Sequence, residues 1–143
     1  LSMSFIKDTA TTKKKAVGPR YTYKIRENEN GLWEFADSKK DSLNQVTTRE
    51  LLRRLGSLTC GDWAKKDTVD ENFKNPVMEI AIKSKYGYVY KITAGTNYYL
   101  WNNFRYVKKE GSELLFRVYN TMLIDLMMTP DELTKPLPRP SEN

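Results

Sequence analysis

Few side chains in this sequence have the types and spacing that chemistry requires. Asp37-Ser38-Lys39 ends a candidate strand, with Glu34 close before it. Acids beside a lysine can hold a divalent cation and orient an attacking water, as in metal-dependent nucleases. Acid-x-lysine triplets also arise by chance in any charged chain, so a nuclease stands here only as a remote alternative. Glu34 and Glu79 could act as the paired carboxylates of a glycosidase, but nothing in the sequence sets their separation.

The remaining catalytic classes fall to composition. The chain has no histidine, which removes Ser-His-Asp and Cys-His nucleophiles, His-ligated metals and the usual neutral-pH general base. One cysteine, Cys60, allows neither an intrachain disulfide nor a Cys/His metal cluster. Asp67, Asp70 and Glu71 lack the spacing of a calcium loop. The seven glycines are scattered singly and form no phosphate loop or dinucleotide fingerprint. No catalytic residue, metal ligand or cofactor is assigned. The sequence reads as a binding protein.

Charge points to what it binds. The net charge is +6, unevenly spread. Residues 1–26 hold seven cations against one acid, and residues 81–109 hold six against none. The intervening and C-terminal stretches are each acidic on balance. An acid-free stretch suits phosphate, because each neutralised phosphate releases counterions. Residues 81–109 also hold eight aromatics. Aromatics among cations are what single-stranded nucleic acid stacks on. The candidates are Lys13, Lys14 and Lys15 at the N-terminus, with Lys83, Lys85, Tyr86, Tyr88, Tyr90, Lys91, Trp101, Arg105 and Lys108.

Two plainer explanations compete. The lysines could simply solvate outward strand positions. The tyrosines alternate in register with Ile80, Ile82 and Ile92, the pattern of core-facing residues. A second function is a protein-interaction module docking on an acidic partner, such as an assembly subunit or a virus- or phage-encoded modulator. Aromatic surfaces with arginine form interface hot spots as readily as stacking platforms.

The elements that must position these residues are legible in part. Residues 1–19 show no period and are expected to form a flexible basic arm. Met3 is read as the native start, with Leu1 and Ser2 a cloning remnant. Tyr21, Tyr23 and Ile25 alternate with polar residues, as do Trp33 and Phe35, with Asn30-Gly31 between. A three-residue loop, Glu29 to Gly31, pairs Ile25 with Phe35 and keeps all the large side chains on one face. Thr47-Thr48-Arg49-Glu50 reads as a capping box, with Val46 and Leu51 as its staple, before a helix ending at Gly56. Residues 57–76 read as an irregular connection.

Three strands are expected between Val77 and Val107. A long C-terminal helix should begin at Ser112 on the stripe Leu115, Val118, Tyr119, Met122, Leu123 and Leu126. Thr129-Pro130-Asp131-Glu132 starts a short turn, and residues 135–143 form a Pro-rich tail. The expected fold is a single α+β domain over residues 20–134, in the order β-β-α-β-β-β-α. It has a small antiparallel sheet with two helices on one face. No apolar run is long enough for a membrane span. With a lone cysteine, no secretory leader and no glycosylation sequon, the expected location is cytoplasmic.

Overall fold

A computed structural model of the chain describes residues 1–6, 19–37, 42–58, 62–64, 73–95, 104–112 and 115–138. The fold is of the α+β class and mostly β, an open antiparallel sheet with three short helices. The strands are β1 (Ser2–Ile6), β2 (Arg20–Glu27), β3 (Trp33–Phe35), β4 (Asp62–Ala64), β5 (Met78–Lys83), β6 (Val89–Ala94), β7 (Phe104–Lys109) and β8 (Leu115–Tyr119). The helices are α1 (Gln45–Gly56), α2 (Asn120–Asp125) and α3 (Pro130–Leu133). The strand order is β3-β2-β1-β5-β6-β7-β8-β4. None of the helices among the described residues is long and apolar enough to cross a membrane.

The β2–β3 hairpin has the register that its apolar alternation requires. Ile25 pairs with Phe35 and Glu27 with Trp33. Gly31 sits at φ 76°, where other residues are strained. The Asn28 side-chain oxygen accepts from the amides of Asn30 and Leu32 at 2.9 and 3.1 Å, which closes the loop.

The expected order β-β-α-β-β-β-α is corrected by three further strands, β1, β4 and β8, with β4 lying in the connection expected to be irregular over residues 57–76. Residues 2–6 are a strand inside the sheet, not part of a flexible arm. Ser-Met-Ser-Phe-Ile alternates with period two, and Met3 and Phe5 are buried at 1% and 0% exposure. The lysine-rich stretch that follows hides so short a signal. The helix expected from Ser112 is also wrong over residues 115–119, which form β8. Leu115 pairs with Lys108 and Val118 with Arg105, on opposite faces of the sheet. A strand buried on both faces places apolar residues three apart, which imitates a helical stripe. Helical structure starts only at Asn120.

The start of α1 is likewise shifted. Asn44 is the cap, its Oδ1 accepting from Thr47 N at 3.0 Å. Thr47 instead donates its hydroxyl to Lys135 O at 2.6 Å. Glu50 receives hydrogen bonds from Arg53 and Arg54 rather than closing a capping box. Val46 is 69% exposed and staples nothing. At the C-terminus, Pro130 opens α3 as expected, with Thr129 Oγ1 accepting from Glu132 N at 3.2 Å.

One buried cluster joins the sheet residues Met3, Phe5, Tyr23, Ile25, Phe35, Met78, Ile80, Ala94, Val107 and Val118 to Leu51 and to Leu123, Leu126, Met127, Met128 and Leu133. The Tyr23 hydroxyl lies 3.2 Å from Met3 Sδ, and burial pushes its pKa well above the ordinary tyrosine value. Leu137 leans on the same cluster, so the start of the Pro-rich tail is packed against the body.

Gln45 protects the edge of the sheet. Its amide accepts from Trp33 N and donates to Trp33 O, both at 2.8 Å, standing in for a missing neighbour strand. Gln45→Ala should lower stability in urea denaturation by about 1–2 kcal/mol, the worth of two partly buried hydrogen bonds.

The hydrogen bond from Arg53, aided by Arg54, pulls the Glu50 carboxyl down to about 2 from an ordinary 4.5. A depressed folded pKa means stability that is present above the unfolded value and lost as pH falls through the folded one. An NMR titration should therefore place the Glu50 midpoint at about 2. Arg53→Ala should move that midpoint upward.

Candidate nucleic-acid interface

Pairing across the strands fixes which residues share a face, because directly opposed residues project to the same side. Lys24 opposes Ser2, Ser2 opposes Ala81, and Ala81 opposes Lys91. The next row runs Thr22, Ser4, Glu79, Thr93 and Lys108. Lys83, opposite Val89, belongs to the same side. This face turns away from the buried cluster. It is a floor of serine, threonine and alanine, with Glu79 half-buried in it and Lys24, Lys83, Lys91 and Lys108 standing exposed.

Two other cations of this face are already engaged. Arg26 pairs with Glu34 at 2.9 Å. Arg20 donates to Ser4 Oγ at 3.0 Å and to the Pro76 carbonyl. Lys108 lies 5.0 Å from the Phe73 ring centroid. Beyond it the face becomes apolar, with Phe104 and Leu115 buried and the Arg117 guanidinium over Phe104 at 5.3 Å.

The tyrosines are on the surface. Tyr90 opposes Ile82, and Tyr88 follows two residues before it on the same side. Their alternation with Ile80 and Ile92 predicts burial, yet Tyr86, Tyr88 and Tyr90 are 78%, 66% and 45% exposed. The reason lies in how far the strands reach. Pairing of β5 with β1 ends at Ala81, and pairing of β6 with β7 begins at Ile92. Residues 82–90 therefore pair only with one another among the described residues. They form a two-stranded ribbon extending past both neighbours, where there is no core for a tyrosine to enter.

The tip repeats the construction of the first hairpin. Ser84 exchanges hydrogen bonds with Tyr88 and Gly87, its Oγ accepts from the amides of Tyr86 and Tyr88, and Gly87 takes φ 91°. Lys85 Nζ lies 5.5 Å from the Tyr86 ring centroid, and Lys109 Nζ lies 5.5 Å from that of Tyr90. Lys109 was not among the expected residues. Its alternation with Arg105 and Val107 assigns it to the tyrosine side, but only the pairing with Ile92 brings it beside Tyr90. Lys83, Lys85 and Lys91 have no carboxylate partner among the described residues.

Arg105 does not belong to the interface. It is fully buried on β7, donating to Asn120 Oδ1 at 2.7 Å and Gly95 O at 3.2 Å. An arginine in an aromatic, basic strand looks solvent-facing in sequence, but the period from Val107 turns it inward. Trp101 and Lys13 to Lys15 lie outside the described residues. The connection carrying Lys13 to Lys15 is not terminal, since its ends, Ile6 and Arg20, are paired in the sheet. Ile6, the last described residue before it, donates its amide to Val77 O at the end of β5 opposite the ribbon tip.

The catalytic candidates are not assembled. Glu34 is held by Arg26, and Asp37 is exposed, while Ser38 and Lys39 lie outside the described residues. Glu34 on β3 and Glu79 on β5 stand three strand spacings apart, about 14 Å or more. That exceeds the separation of glycosidase carboxylates. Among the described residues, no three acids or cysteines gather to hold a metal ion.

No protein-family model matches this chain, and no curated protein or solved structure matches it either.

Arg105→Ala should lower stability by about 2–3 kcal/mol in urea denaturation, since Asn120 and Gly95 O would lose a buried charged donor.

Proposed function

We propose that this chain is a non-enzymatic protein that binds single-stranded nucleic acid through the β5–β6 ribbon. Tyr86, Tyr88 and Tyr90 supply stacking surfaces, Lys85 and Lys109 beside Tyr86 and Tyr90 supply phosphate contacts, and Lys83, Lys91 and Lys108 make the opposite face basic. The observation that carries the reading is the exposure of all three tyrosines on a protruding ribbon whose lysines have no carboxylate partner among the described residues. Exposed aromatics lose little by stacking on a base, which contributes roughly 1–3 kcal/mol each. Lys13, Lys14 and Lys15, outside the described residues, add three further cations.

A protein-interaction role on an acidic partner is the second reading. Val89 favours it, being 61% exposed on a ribbon whose edges are unpaired among the described residues. Such edges accept a strand from another chain.

Fluorescence anisotropy with a labelled single-stranded oligonucleotide decides between the two. Affinity should fall steeply with salt, by a log–log slope of about −0.7 per phosphate contacted. Changing Tyr86, Tyr88 and Tyr90 together to alanine should weaken binding at least about tenfold. If the protein binds no oligonucleotide even at low salt, the first reading is finished.

A further inference from the structure

The two faces of the ribbon carry different chemistry, and the difference specifies the form of nucleic acid. One face has Tyr88 and Tyr90, with Lys109 beside Tyr90. It offers stacking and a cation together, which is what unstacked bases on a flexible backbone need. The other face has Lys83 and Lys91 with Val89, and continues into Lys24 and Lys108 over a floor of Ser2, Ser4, Ala81, Thr93 and one acid, Glu79. On the ribbon itself this face exposes Lys83, Val89 and Lys91 and no aromatic, while Phe73 lies beside Lys108 further along. A surface of cations without stacking side chains meets phosphates and not bases. A duplex, whose bases are stacked away, presents phosphates in that manner.

The tyrosines and the back-face lysines stand on opposite sides of a ribbon one backbone thick. A single strand lying on one side meets only that side's chemistry. A ligand that satisfies both must present loose bases to one face and an ordered phosphate backbone to the other. We infer that the ribbon recognises the junction between single- and double-stranded nucleic acid, with the unpaired strand on Tyr88 and Tyr90 and the duplex backbone against Lys83 and Lys91. This rests on the nucleic-acid reading above.

Engaging both arms of one junction makes the second contact intramolecular, so a fork should bind more tightly than either arm alone. The test compares three DNAs of matched length by anisotropy: a single strand, a blunt duplex, and a fork with one unpaired tail. The fork should bind at least about tenfold more tightly than the other two. Lys83→Ala with Lys91→Ala should weaken duplex and fork about tenfold and change single-strand affinity less than about threefold. Tyr88→Ala with Tyr90→Ala should do the reverse, weakening single strand and fork and sparing the duplex.

A fork bound no more tightly than the single strand overturns the inference while leaving single-strand binding intact. So does a lysine pair whose loss weakens single strand and fork equally, since that describes one strand wrapped around the ribbon. Failure of the wild-type protein to bind any of the three DNAs overturns the nucleic-acid reading itself. Circular dichroism of both pairs of variants guards against misfolding, and the substituted positions are solvent-exposed on the ribbon.

Discussion

The insertion of β1 between β2 and β5 is the constraint on which the rest of the structure depends. Five residues join the β2–β3 hairpin to the β5–β8 meander, through antiparallel pairing on both sides. Because side chains alternate with period two, seating Met3 and Phe5 in the core sends Ser2 and Ser4 to the other face. That one phase assignment propagates across every paired strand. It places Tyr23, Ile80 and Ile92 on the apolar side, and Lys24 and Lys91 on the polar side. A one-residue slip would bury the lysines and expose the core, so the register is strongly specified.

The same pairing explains why the ribbon is exposed. β1 is too short to accompany β5 beyond Ala81, and β7 meets β6 only from Ile92 onward. Past those limits the chain keeps the sheet's alternation but has lost its neighbours. Tyr90 occupies a core-phase position in a place without a core. The Ser84 turn, closed by its hydroxyl and by Gly87, keeps the two strands together where no third strand supports them.

Polar groups inside the body hold the remaining pieces in relation. Asn44 caps α1 and donates its own amide to Leu133 O, while Thr47 reaches Lys135 O. Gln45, next in the chain, ties the same helix to β3. Three contacts thus meet at the start of one helix: the cap, the sheet edge and the C-terminal segment. Arg105 plays a comparable part at the other end, linking β7 to Asn120 at the start of α2.

The sequence by itself determined the features that depend on near neighbours. These include the first hairpin and its loop, the existence of α1, the cap of α3, and the strands from Met78 to Val107. Alternation and turn residues specify such features within a dozen residues. It also determined the acid-free stretch that supplies the lysines. Only the tertiary structure decided what depends on distant partners. Ser2 to Ile6 becomes a strand because β2 and β5 flank it, and Leu115 to Tyr119 becomes one because β7 claims it. Asn44 displaces Thr47 as cap while Thr47 is engaged by Lys135, 88 residues away. Above all, the period that marks Tyr88 and Tyr90 as core-facing is correct about direction and silent about cover. Whether a face is buried depends on how far its neighbours extend, which no local pattern encodes.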